Sequence, residues 1–298
     1  MACVIANKYH NKDSDGENVS WAEVITSLTT MLEPTHIKGC LPEVFSRALF
    51  VVAGAIARRD PSIGSLSSAI AHAPVESANC KAELGRIMEV LVSNKDFLSR
   101  ETHAVIKPTY RQWVYHSIVQ PILRLAYPFQ PASDTSTTYS ITVLSIVKHL
   151  VFDIYSADAE DIARIAIAGL SSLKNQYDLE ATCLILLAVL DQNPEILKGH
   201  IKTIVDGAYG LYTTSTNSQT IAQGQPQIPA RFLRTGSPSK CRKGAMKILE
   251  LLPQKFDTGL LLPYAANLRR GLKIASGDSV RYIRPDVQAA RKAWDSVV

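Results

Sequence analysis

Shifting the chain against itself by 64 residues lays one helix pair over another. Ala181, Leu184, Ile185, Leu187 and Ala188 fall on Ala245, Ile248, Leu249, Leu251 and Leu252. Ile196, Leu197, His200 and Ile204 fall on Leu260, Leu261, Tyr264 and Leu268. Apolar residues three and four apart mark one face of a helix, and here two such faces recur together with the break between them. Taking out a polar stretch of about 22 residues leaves a period of about 42, within the roughly 40–47 residues of HEAT and armadillo arrays. Arg242 and Arg284, 42 residues apart, open successive first helices. One helix pair cannot bury its own apolar faces, so neighbours must stack to complete a core. The expected fold is all-α: an α-solenoid of six or seven HEAT/armadillo-like helix pairs. Leu249 and Leu268 are expected between stacked helices. Arg242 and Arg284 are read as structural residues that tie one repeat to the next, through an acid or a carbonyl of a neighbour.

The rest of the chain fits the same grammar. Residues 1–17 are polar and read as a flexible N-terminus, followed by one solenoid over 18–298. Trp21, Val24, Ile25, Leu28, Met31 and Leu32 predict a first helix, and Phe45, Leu49, Val52, Ala53 and Ile56 a second. Pro108 and Pro121 predict two or three short helices over 100–127, because proline lacks the N–H an interior turn requires. Residues 128–138 read as a loop and 139–152 as an apolar helix. Ser156 is expected to cap 158–170, with Ile162, Ile165, Ala166 and Leu170 inward, and Asp178 to cap 179–191. Pro194 should start 195–212, and final helices are expected at 238–252, 259–275 and 279–296. The polar stretch at 213–237 is too long for an ordinary connector and reads as an inserted loop.

Charge is unevenly placed. Residues 231–298 hold 14 Lys/Arg against 5 Asp/Glu, a net +9, while residues 1–230 hold 18 against 22, a net −4. A basic end favours an acidic partner or nucleic acid. Arg231, Arg234, Lys240, Arg242 and Lys243 could attract a phosphate backbone, but Phe232 alone is interleaved, a poor platform for base stacking. Five scattered cysteines (3, 40, 80, 183, 241) form neither a metal-ligand pattern nor an evident disulfide framework. With no apolar run of about 18 residues and no signal core, a cytoplasmic or nuclear location is expected. His36 and Cys40 share a helical spacing but have no third ligand nearby in sequence, so no metal site is expected. No GxSxG, HExxH or phosphate-binding loop occurs, and no catalytic residue is assigned.

FDTGLLLPYAANLRRGLKIA, followed by Ile283-Arg284, Ala290-Arg291 and Trp294, resembles the C-terminal HEAT-repeat region of the MMS-nineteen family. Residues 82–122, with Lys107, Arg111 and Gln112, resemble an upstream part of the same region. The similarity runs from about Leu41 to Trp294, and the polar 213–237 stretch departs from it. The resemblance implies a non-enzymatic scaffold of the cytosolic iron–sulfur assembly (CIA) targeting complex, with no cofactor of its own. It further implies docking of a small CIA assembly adaptor and, through it, a WD40-propeller protein. Together these would present iron–sulfur apo-proteins such as DNA helicases for cluster insertion. Direct nucleic-acid binding by the basic end and a generic HEAT scaffold for transport or signalling are the alternatives. Second helices line the usual binding face of such arrays, so Lys202, Asp206, Arg269, Arg270 and Lys273 are the candidate partner-binding residues.

Overall fold

The computed structural model describes residues 85–86, 88–93, 108–125, 134–173, 175–217, 238–278 and 280–297. The flexible N-terminus expected at 1–17, the helices expected from Trp21 and Phe45, the His36/Cys40 pair and most of the polar 213–237 stretch lie outside these residues. The chain divides into two compact units, Met1–Tyr155 and Ser156–Val298. Among the described residues every regular element is helical, and the fold is all-α.

In the first unit a 3₁₀ turn, Met88–Leu91, precedes α1 (Pro108–Val114) and α2 (Gln120–Leu125), which are joined by a π-turn over Tyr115–Val119. Pro108 stands first in its helix, where a missing N–H costs nothing. Pro121 does not cut the helix in two. The backbone widens just before it, with Gln120 N–H reaching the Tyr115 carbonyl five residues back, and the widened turn absorbs the proline. α3 (Asp134–Val147) begins inside the stretch expected to be a loop. Thr138, Ser140, Thr142 and Ser145 are buried, and Thr142 Oγ1 donates to the Thr138 carbonyl at 2.8 Å. Packing thus overrides the weak helix propensity of this Ser/Thr-rich segment. Gly85 sits so close to α3 that a Cβ there would meet Ile141 Cγ2 at 2.9 Å. Buried Glu89 pairs with Lys148 Nζ at 3.3 Å, and the His149 ring, just past the end of α3, brings Nε2 within 3.1 Å of the other carboxylate oxygen. A short α4, Phe152–Tyr155, closes the unit.

The second unit carries the repeat. Its helices are α5 (Ala159–Ser172), α6 (Gln176–Gln192), α7 (Ile201–Asn217), α8 (Pro238–Lys255), α9 (Thr258–Ala275) and α10 (Arg284–Asp295). First helices α6, α8 and α10 lie side by side in one layer, and second helices α5, α7 and α9 in the other. Each second helix also packs on the first helix that follows it. This is the stacking logic of a solenoid. Ile162, Ile165, Ala166 and Leu170 are buried on α5 as expected. α6 starts earlier than expected, because Asn175 is its cap: Oδ1 accepts from Tyr177 N–H at 2.9 Å, and Asp178 sits buried in the first turn. Pro194 opens a 3₁₀ stretch to His200, which runs into α7. The expected start of the last helix at 279 is replaced by a 3₁₀ turn, Arg281–Ile283, with Pro285 entering the first turn of α10.

The 64-residue register holds on the inner faces. Ala181/Ala245, Ile185/Leu249, Leu197/Leu261 and Ile204/Leu268 are buried pair by pair. Two further matched residues are Gly207 and Gly271. A Cβ on Gly207 would meet Leu170 Cβ at 2.9 Å, and one on Gly271 would run into the Tyr209 ring and its Oη. On α7 the missing side chain lets the stem of Leu170 approach closely, and on α9 it makes room for the tip of the Tyr209 ring reaching over from α7.

Proline shapes one helix end in a way tied to a distant residue. Pro253 lies inside α8 and has no N–H for the Leu249 carbonyl four residues earlier. Buried Trp294, on α10, fills that place: its Nε1–H donates to the Leu249 oxygen at 2.7 Å.

Candidate functional site

The 64-residue repeat holds α9 in its layer, and a buried polar knot ties the turn that follows α9 to its neighbours. The knot centres on Asp278. Arg242 Nη1, from α8, donates to both Asp278 carboxylate oxygens at 3.0 Å. Tyr212 Oη, from α7, donates to Oδ2 at 2.8 Å. Val280 N–H closes an Asx turn on Oδ1 at 2.7 Å. Arg284 Nε, from α10, donates to the Asp278 carbonyl at 2.7 Å. The two arginines spaced by 42 residues thus meet at one residue between them. Burial, and then the hydrogen bond to Asp278, pushes the Tyr212 phenol well above its ordinary range. Arg242 is wholly buried, and its Nε and Nη2 have no protein acceptor. Such a guanidinium depends on its one carboxylate.

Smaller ties bind first helix to first helix. Lys255 Nζ reaches the Asp191 carbonyl and Oδ1 at 3.1 and 3.2 Å, which holds the Asp191 carboxyl below the usual carboxylate range. Lys240 pairs with Glu180 at 3.3 Å. The Cys241 thiol contacts the Gln176 carbonyl at 3.0 Å, and burial pushes it up to about 12. Cys183, also buried, is raised further by the same cause. Thiols kept protonated in this way are packing residues and weak nucleophiles. Among the described residues no three His, Cys, Asp or Glu side chains stand together as metal ligands.

The five candidate partner-binding residues separate. Lys202 and Asp206 are exposed on α7, and Arg270 and Lys273 on α9. Arg269 is half-buried, and its Nη2 donates to the Val297 carbonyl, tying the last residues to α9. Of the basic cluster at 231–243, Arg231 and Arg234 lie outside the described residues, and Arg242 is consumed by Asp278. Sequence reasoning missed the residues that make α9 unusual. Leu260, Leu262 and Ile274 are exposed on it, and Tyr282 and Arg281 stand exposed beyond the knot. The signal was present: from Thr258 to Gly277 there is no acidic residue, while apolar residues occupy every side of the helix.

Two comparisons with known proteins agree. Residues 1–253 match the family described as RNAPII transcription regulator C-terminal, MMS19_C. The MMS19 nucleotide excision repair protein homolog of Dictyostelium discoideum is 20% identical over 211 residues, which make up 69% of this chain and 17% of that protein. The chain thus matches about a sixth of that relative's length.

Proposed function

The chain belongs to the MMS19 C-terminal family, and from that premise we propose that it is a docking segment of a larger scaffold serving DNA repair and transcription. It acts through surface complementarity, without chemistry of its own. In the finer reading the scaffold is that of the cytosolic iron–sulfur assembly targeting complex. The segment binds a small assembly adaptor, which brings a WD40-propeller protein, and the complex hands clusters to apo-proteins such as DNA helicases in the cytoplasm and nucleus. The cluster is cargo, and the segment carries no cofactor.

The observation that best supports docking is the contrast within α9. Its inner face is fixed by Leu261, Ala265, Leu268 and Leu272, all buried, while its outer face exposes apolar and basic side chains that stacking does not use. Large apolar residues grouped on a surface mark interaction sites more often than scattered ones do. The test is co-purification of the tagged chain with the small assembly adaptor from purified components. Retention at physiological salt is expected. No retention, where the full-length scaffold does retain the adaptor, would remove the assembly reading.

A further inference from the structure

The register that aligns α7 with α9 also aligns their exposed positions, and these differ in kind. Where α7 and the 3₁₀ stretch that leads into it present Lys198, Lys202, Asp206 and Gly210, α9 presents Leu262, Ala266, Arg270 and Ile274. The α7 set is a solvated face. The α9 set is apolar and basic: Ile274 is 78% exposed and Leu262 53% exposed. Tyr209 shows what the next position does. On α7 it is the side chain against which Gly271 of α9 packs. Its counterpart on α9 is Lys273, which is exposed. The side of α9 turned away from α7 therefore carries Leu262, Ala266 and Lys273, at helical spacing and exposed among the described residues.

We propose that this outer face of α9 docks an amphipathic helix of a protein partner, with apolar residues on one side and acidic residues flanking them. Leu262 and Ile274 call for apolar side chains, since each is more than half exposed among the described residues. Arg270 and Lys273, with Arg281 beyond the turn, call for carboxylates, and none of the three is paired with a described acid. Arg269 and Arg284 do not compete, because each already holds a carbonyl. A helix is the fitting shape because every element of this layer is a helix laid against a helix. A nucleic-acid strand fits less well: it would satisfy the cations and leave Leu262 and Ile274 uncovered, with Tyr282 the one exposed aromatic nearby among the described residues. The proposal deepens the docking reading and rests on it.

The direct test is fluorescence anisotropy on the full chain with three probes of known composition. One is a synthetic helix of about five turns with Leu on one face and Glu beside it; the second carries Lys in place of Glu; the third is a single-stranded oligonucleotide. The acidic helix is expected to bind and the basic one to fail. Ile274→Asp should weaken binding at least about tenfold with an unchanged melting curve, since the side chain is mostly in water. Arg270→Glu with Lys273→Glu should reverse the preference between the two peptides. Binding of the oligonucleotide in place of the acidic helix, or of neither peptide, overturns the proposal. The adaptor assay separates the two levels. If wild type and both variants retain the adaptor equally, this face is wrong and docking stands. If wild type fails there, the assembly reading falls, and the peptides still decide the face.

Discussion

α7 and α9 occupy equivalent places in successive helix pairs, and their buried sides are nearly interchangeable. Ile204 matches Leu268, Ala208 matches Leu272, and Gly207 matches Gly271. Their exposed sides share almost nothing. Stacking dictates the first set, because a second helix must fill the same groove against its predecessor whatever it does outside. No such demand acts on the second set, so the outer face is where a difference between repeats can carry function. An exposed apolar residue on its own means little. An apolar face where the sister helix has a charged one means more.

The largest expected effect tests the shared side. Leu268→Asp, or Leu249→Asp in the first-helix layer, places an unpaired charge in the core and should cost several kcal/mol. Ile204→Asp and Ile185→Asp should cost about the same if the repeats are equivalent. Thermal unfolding of all four compares them, and a stable Leu268→Asp chain would break the equivalence at once.

Next comes the knot. Asp278→Ala strands the Arg242 guanidinium without its carboxylate and should cost about 3–5 kcal/mol. Replacing both, Arg242→Met with Asp278→Ala, should recover part of that loss. A denaturant titration in which the double variant is worse than the single would show that the pair stabilises beyond mutual neutralisation.

A smaller effect probes the glycine contact. Gly271→Ala drives a methyl into Tyr209 and should destabilise by about 1–3 kcal/mol. In a Tyr209→Ala background the same change should become neutral or favourable, because alanine is the better helix former by about 1 kcal/mol. A cycle showing no coupling between 209 and 271 would put the α7–α9 contact elsewhere.

The smallest effect concerns the tie between first helices. Because Asp191 titrates below its ordinary range when folded, its contribution is complete above the unfolded carboxylate value near pH 4. It fades as pH falls through the folded value. Lys255→Gln should weaken this acid-side dependence, the Gln192 hydrogen bond keeping a remainder, and leave stability at neutral pH almost unchanged, as befits an exposed pair. Melting curves across pH 2–6, roughly that carboxylate window, would show it.

Much of this architecture was legible in the sequence because burial constrains residue type. The 64-residue shift located four matched core pairs, and the 42-residue spacing picked out Arg242 and Arg284. The failures have physical reasons. Leu184 was paired with buried Ile248, yet it is 47% exposed; a periodic pattern records residue type and cannot record whether a neighbour arrives to cover it. Asp278 escaped notice because a lone acid after Ser276-Gly277 looks like any solvated turn, and its partners are up to 66 residues away. The cap of α6 is Asn175 and not the expected Asp178; either residue type can accept from a first-turn N–H, so type alone does not place the helix start. Arg269 looked like a surface cation because the carbonyl that claims it belongs to Val297, 28 residues on.

The bond from Trp294 to the Leu249 carbonyl has a consequence for how the chain assembles during synthesis. α8 contains a proline whose missing donor is supplied by an indole made 45 residues later. Until α10 is made, water can serve that carbonyl, and the indole takes over the bond as the two become buried together. The end of α8 is thus completed, in the folded unit, by a residue from the next first helix and not by its own backbone.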